Sequence, residues 1–429
     1  IYTLSLHDAL PICATVVVID AIGEWDTITI WGAEYREGRA RYRRLWSQHY
    51  PHSIGLFYSA VTARLGLNPM HEEYITMGMA AYGNPGLGDM IKHWLVQDEY
   101  EIRFRHNLHA GMDRERFNYV NPETLALGAQ ELAENLIYHV MWRARRFDWS
   151  ANLVYGGGVA LNCLANRNLG HYFDRIWILP CPGDSGSSIG SAALAYGSRL
   201  DWRDPYLGHA IPGAYPTNQL LDHLLSNRIV GVASGPAEFG PRALGNRSIL
   251  ADPRNFHNRE LINHVIKNRE WFRPFAGTVL AEEGDEWFDL AGYGESPFMM
   301  MAVNVAADKL KTIPCVTHVD DTCRVQTVTS EQNSYFYNLI DEFYKLKDQY
   351  ESEYKKKIVK PITFEELIEL GKYIKEFNSK TTEAEGAFFS ATKGEDSGIE
   401  ICTLARLTPW MYMIVLTSSP SRALCLFTF

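Results

Sequence analysis

The chain has 429 residues, enough for two ordinary domains with separate cores. A net charge of -10 argues against a general nucleic-acid or anionic-membrane surface and leaves room only for a local basic pocket. No apolar run reaches the ~18 residues that span a bilayer. The seven cysteines, without a CxxC pair or a Cys/His cluster, point to reduced thiols in the cytoplasm rather than a disulfide framework or zinc module.

In chain order, Ile1 to Ile12 (IYTLSLHDALPI) lacks the basic start and long apolar stretch of a signal peptide. The string equals one translated frame of a common sequencing adapter, so residues 1–13 are expected to be artefactual or disordered, and His7 and Asp8 are not read as ligands. Ala14 to Asp20 (ATVVVID) is a β-branched apolar run and predicts a buried strand, followed by a second strand at Thr27–Trp31. Asp20 at the strand end reads either as an acid facing a metal or phosphate or as a turn cap. Apolar spacing predicts helices over Ser53–Leu65, Glu73–Gly83 and Pro122–Arg146, the last covering a sheet.

Asn152 to Gly158 predicts a strand running into three glycines, with a helix starting directly after them in Val159–Asn166. Free backbone N–H groups at such a turn attract anions, so Gly157, Gly158 and Asn162 are candidate nucleotide contacts; the alternative is a packing turn. Ile176–Pro180 predicts another buried strand, leading to Gly183 and Asp184 at a strand-to-helix turn. Gly183 joins the nucleotide candidates, and Asp184 pairs with Asp20 as a candidate divalent-metal ligand set. Residues 201–216 are polar, carry proline and glycine, and predict a linker.

Between Pro236 and Arg273 stand seven basic and four acidic residues, a local surplus of three positive charges in an acidic protein. They alternate with Gly, Pro and aromatics, which a solvated charged face rarely does. Arginine forks match phosphate oxygens in pairs and lysine adds a point charge, so this region predicts a polyanion site and no nucleic-acid groove. Arg324 adds another cation in the alternating segment Thr317–Val328. Beyond Leu346 the composition changes. A capped helix is expected near 363–378, and the remainder of 347–429 is read as an unrelated tail.

The blocks VVVIDAIGEW, EYITMGMAAYG, GGGVALNC, PGDSGSSIGSA, EFGPRALGNRSILADPR, KNREWFRPFAGTVL, PFMMMAVNV and IPCVTHVDDTCRVQTV, in this order, resemble those of the antibiotic and nodulation-factor O-carbamoyltransferases. The resemblance implies an α/β architecture: a partial actin-like (RNase H-like, Kae1-type) ATPase domain over 14–200, followed by a YrdC-like α/β domain over 217–346. It implies that carbamoyl phosphate and ATP form a carbamoyl-adenylate in the second domain, and that a small-molecule hydroxyl accepts the carbamoyl group in the first. Carried over by motif, Arg242, Lys267, Arg273 and Arg324 would bind the phosphates and carbamoyl group. Asp20 and Asp184 would hold a divalent metal, iron-like in the family, with Mg²⁺ accompanying ATP.

Three departures stand against the family pattern. The HxxxH pair that lies upstream of Ala14 in the family is absent, as is the Asn-Thr-Ser-Phe-Asn motif beyond Leu346. Ala21 stands where Gly usually follows the metal Asp. These departures lead us to expect weak or no activity from this chain alone. Competing readings are a threonylcarbamoyl-adenylate enzyme of tRNA modification, a sugar-kinase or chaperone-like ATPase, and a chimeric chain without a role.

Overall fold

The computed structural model describes residues 13–354, except 114, 198–199, 201, 227–228 and 291, together with short strands between 389 and 427. Residues 1–12 and the helix expected at 363–378 lie outside the described residues. The protein is mixed α/β and divides into two compact units. Unit 1 comprises Ile1–Pro205, Phe239–Pro241 and Asp289–Asn304; unit 2 comprises Tyr206–Glu238, Arg242–Phe288 and Val305–Phe429. The sequence reading places one linker at 201–216, whereas the chain changes unit several times. The short segments 239–241 and 289–304 carry no compositional break that would mark the change. No helix among the described residues is long and apolar enough to cross a membrane.

The first unit is built on a five-stranded sheet. Strands β1 (Cys13–Gly23), β2 (Asp26–Arg36) and β3 (Arg39–His49) form an antiparallel meander, and β4 (Asn152–Gly156) and β5 (Arg175–Ile178) join β1 in parallel, in the order β3-β2-β1-β4-β5. The predicted buried strand is buried on one face only. Val17 and Ile19 are fully enclosed, while Val16, Val18 and Asp20 are half-exposed. Helices α1 (Ile54–Arg64) and α2 (Pro122–Arg146) pack against β1 and against each other. Each begins on a residue that can cap: Ser53 Oγ accepts from Leu56 N–H and Asn121 Oδ1 from Thr124 N–H, satisfying otherwise orphaned donors. Val61, Leu136, Ile137 and Val140 of these helices have no exposed surface. At roughly 25 cal/mol per Å² of apolar area removed from water, such burial is the main force holding the layers together.

The second unit pairs β6 (Val230–Ala233) antiparallel with β7 (Arg247–Leu250), and β8 (Ala276–Leu280) parallel with β9 (Thr322–Val328). Two helices, α3 (Thr217–Leu225) and α4 (Ser334–Tyr354), pack on one another. Their apolar side chains Leu220, Leu224, Phe336 and Leu339 share a core with Val230, Val232 and Leu250. The parallel register sets Ala276 beside Arg324, which places Arg324 close in space to the segment that ends at Arg273 and Phe275.

Candidate active site

In the first unit, the C-terminal ends of the parallel strands meet at Asp20. Parallel pairing stops at Val18 with Gly156, and a bulge follows between Ile19 and Gly23, so Asp20 stands past the last paired residue. Its Oδ1 accepts from the backbone N–H of Ala21 at 2.8 Å, and Gly158 N–H supplies a second hydrogen bond. Burial pushes the carboxyl upward, those two donors pull it back, and the charge of Asp184 adds to the rise. The two predicted acids therefore lie within electrostatic reach of one another. Gly158 lies against Asp20 and Gly183 against Gly158: an added Cβ would sit 3.1 Å from Asp20 Oδ1 in the first case and 3.7 Å from the Gly158 Cα in the second.

Packing dictates part of this backbone. Gly157 has φ +89 and ψ 160, a region open almost only to glycine, and a Cβ there would meet the Ile19 carbonyl oxygen at 2.1 Å. Its N–H donates to the Pro182 carbonyl at 2.8 Å, tying the glycine turn to the loop before Asp184. Ala21 is buried beneath α1, where Gly55 approaches so closely that a Cβ would touch the Ala21 Cα at 2.7 Å. The predicted helix after Gly158 is instead a 3₁₀ turn, Gly158–Leu161, and a four-residue helix, Cys163–Asn166. Asn162 caps that short helix through Ala165 N–H. Its amide also exchanges hydrogen bonds with Gln130, at 2.9 and 3.0 Å. The side chain of Asn162 is thus engaged in holding the helices together.

Two carboxylates are too few for a closed all-protein centre, although water and phosphate oxygens can fill out a Mg²⁺ shell begun by one or two carboxylates. Among the described residues, no group of three or more His, Cys, Asp or Glu stands together. The described residues therefore supply two ligands of a metal site and do not close it by themselves.

The second unit holds the cation cluster. Lys267, Arg273 and Arg324 come together with Arg269. Burial, followed by the charges of Arg269, Arg273 and Arg324, pushes the Lys267 ammonium down to about 7. The loop that carries Lys267, Arg269 and Arg273 leaves a π-helical turn, Leu261–Ile266, a rare conformation frequent at functional sites. Asn263, fully buried, braces it: its amide donates to the carbonyls of Trp271 and Arg273 at 3.1 and 3.0 Å, and its oxygen accepts from Arg269 Nε at 2.7 Å. Arg269 also lies 4.9 Å from the centre of the Phe275 ring. Arg273 pairs with Glu270 at 3.0 Å. A hub asparagine inside the apolar run LINHVI was missed in the sequence, although a lone amide among Leu, Ile and Val is a visible signal.

Arg242 sits in a separate loop, half-buried between the enclosed residues Ala243 and Leu244 on one side and exposed Pro241 on the other. That loop is organised by Glu238, whose Oε1 accepts from the backbone N–H groups of Leu244, Asn246 and Arg247 at 2.7, 2.9 and 3.1 Å. Arg247 donates to the carbonyls of Ser234, Asn246, His209 and Gly235, and Arg254 forms a two-pronged pair with buried Asp252. Several cations of the basic stretch are therefore braces. The unit's apolar cavity of 140 Å³, lined by Leu250, Val279, Ile313, Val316 and Phe336 among others, contains none of the four predicted anion-binding residues.

The first unit thus sets Asp20 and Asp184 within electrostatic reach of one another, and the second brings Lys267, Arg269, Arg273 and Arg324 together. A family model for the carbamoyltransferase N-terminus matches residues 10–193, and one for the carbamoyltransferase C-terminus matches residues 221–350. The chain belongs to the carbamoyltransferase family. It is 33% identical to nodulation protein NolO of Bradyrhizobium diazoefficiens, over 68% of this chain and 60% of that protein. It is 30% identical to the 3'-hydroxymethylcephem-O-carbamoyltransferase of Streptomyces clavuligerus, over 62% of this chain and 54% of that protein. An uncharacterized protein of Synechocystis sp. is 32% identical over 78% of this chain and 66% of its own length. The chain spans between about half and two thirds of the length of these relatives.

Proposed function

We propose that this chain is part of an ATP-dependent O-carbamoyltransferase whose acceptor is a hydroxyl of a small molecule. The observation that carries the reading is the convergence of Lys267, Arg269, Arg273 and Arg324 within a family of carbamoyltransferases. Carbamoyl phosphate and ATP are both dense anions. Bringing them together requires fixed cations that offset their repulsion, and a pocket already charged and braced supplies them without rearrangement. Forming carbamoyl-adenylate consumes one water and releases phosphate and pyrophosphate. The acceptor oxygen then attacks the carbonyl carbon, AMP leaves, and the hydroxyl proton is released.

In this reading unit 2 is the YrdC-like adenylate-forming domain and unit 1 the partial Kae1-like transfer domain. Asp20 and Asp184 would offer two oxygens to a divalent metal, which when bound polarises the carbonyl or the acceptor hydroxyl. Gly157, Gly158 and Gly183 would let a nucleotide approach the backbone closely. The five described cysteines are free thiols, which fits a cytoplasmic enzyme.

Calorimetric titration with ATP and with carbamoyl phosphate tests the reading. Micromolar binding by the full chain should weaken by about 100-fold in Arg273→Ala, Arg324→Ala, because each hydrogen bond to a charged group contributes roughly 1.5–3 kcal/mol. A folded chain that binds neither ligand would refute it.

A further inference from the structure

Behind the cation cluster, the turn into β9 carries a chain of hydrogen bonds that the proposed chemistry does not use. The imidazole of His318 lies between two segments. Its Nε2 is 2.9 Å from the carbonyl oxygen of Phe275, two residues after Arg273. Its Nδ1 is 3.0 Å from the hydroxyl of Thr322, two residues before Arg324. That hydroxyl is 2.7 Å from Asp320 Oδ1. The His318 backbone N–H also donates to the Thr322 carbonyl at 2.7 Å, so ring and backbone hold the same turn.

The proton count defines the state of this chain. A carbonyl oxygen only accepts, so Nε2 carries a proton. Thr322 has one hydroxyl proton and two acceptors within reach. With a neutral ring the hydroxyl donates to Nδ1, and Asp320, exposed to solvent, keeps the backbone N–H of Thr322 at 3.3 Å. With a cationic ring, Nδ1 donates and the hydroxyl turns to Asp320. The charged groups facing the ring are Asp320, Arg324 and Arg259. Burial, the strongest influence, together with the two guanidiniums outweighs the Phe275 carbonyl and Asp320 and pushes the imidazole down to about 4. The ring is neutral at pH 7.

We propose that His318 is a positioning residue of the anion pocket: its ring pins the Phe275 carbonyl to the Thr322 hydroxyl and so fixes the spacing of Arg273 and Arg324. This rests on the reading of the cation cluster as a phosphate site. A neutral ring suits the task, because it braces two arginines without adding a third charge to the repulsion between them. It has two arms of opposite sense, a donor toward Phe275 and an acceptor toward Thr322, which a lysine or arginine brace cannot offer.

The experiment uses the full chain with pyrophosphate as the probe. His318→Asn places an amide near the Nδ1 position and retains the Thr322 arm. His318→Gln reaches the Nε2 position and retains the Phe275 arm. Neither spans both. Each is expected to bind pyrophosphate at least about tenfold more weakly than the natural chain while keeping its circular dichroism, since small misplacement of binding groups is costly. Thr322→Val, which removes only the hydroxyl, should behave alike and serves if the histidine variants do not fold. The ¹⁵N shifts of His318 should show a protonated Nε2 and a bare Nδ1 at pH 7. Natural affinity in any folded member of this set overturns the proposal. A natural chain that binds no pyrophosphate overturns the phosphate-site reading itself, and this inference with it.

Discussion

Asp20 and Asp184 in the first unit stand on backbone that has little room to change, whereas Lys267 and Arg273 in the second stand on a loop held by side chains, with Arg324 supplied by strand β9. At Asp20 the determinants are glycines: Gly157 pressed on Ile19 and Gly55 on Ala21. At the cation cluster they are polar hubs, Asn263 inside the loop and Glu238 in the neighbouring one. The physical reason lies in the charges. Asp20, at a strand end, is anchored by the backbone N–H groups of Ala21 and Gly158. Four cations repel one another and need neutral amides to hold the loop that bears them.

The comparison breaks most visibly at Gly157. Gly157→Ala forces a side chain into a glycine-only conformation and into the Ile19 carbonyl. We expect a loss of about 3 kcal/mol. For a unit of this size that is a fall in Tm of roughly 6–12 °C, read by calorimetry. A Tm within a degree of the natural chain would mean that the turn is not fixed by packing.

A second prediction sharpens the electrostatic side. With its ammonium held down to about 7, Lys267 loses its proton in the free protein as pH rises through that value. A bound anion favours the protonated form, so anion binding takes up a proton above pH 7. Pyrophosphate affinity should fall by up to about tenfold per pH unit there, in a titration series from pH 6 to 9. The fold itself responds in the opposite direction. A depressed lysine makes the unfolded chain bind more protons between about 7 and 10.5, so stability rises over that window with up to the same one-proton slope. Lys267→Arg keeps the charge and should flatten the affinity slope. Equal slopes in the two proteins would remove Lys267 from the explanation.

The smallest effect is expected at Asp20. Its carboxyl is raised by burial and by Asp184, so its ionised form destabilises the fold, and that cost vanishes once pH falls below the unfolded value of 3.8. Asp20→Asn keeps an oxygen for Ala21 and Gly158 N–H while removing the charge. It should stabilise the first unit at pH 7, with no gain at pH 3, as chemical denaturation would show. A destabilised variant at pH 7 would indicate that the charge is compensated in the fold.

The sequence displayed much of this directly. The helix Pro122–Arg146 is bounded as its apolar period and the Asn-Pro start predict, because local capping and a long amphipathic face agree. Asp20 and Asp184 were visible because an acid after a β-branched run, followed by small residues, is a local pattern. Strand β3 was invisible: most of RARYRRLWSQH is exposed, so no burial alternation was written into it. Asn162 looked like a helix-start ligand contact, and only the fold revealed Gln130 beside it.

What the sequence by itself determined, then, is the set of chemical groups and their local frames: two acids after strands, a basic stretch among glycines and aromatics, and the family to which these blocks belong. What only the tertiary structure decided is which of those groups act together. Arg324 lies more than fifty residues from Lys267 in sequence and reaches it through the parallel pairing of Ala276 with Arg324. Arg247 and Arg254, identical in type to their neighbours, became braces because carbonyls and Asp252 happened to face them. Periodicity and composition are local quantities, while electrostatic coupling and hydrogen-bond completion depend on distances that the folded chain alone sets.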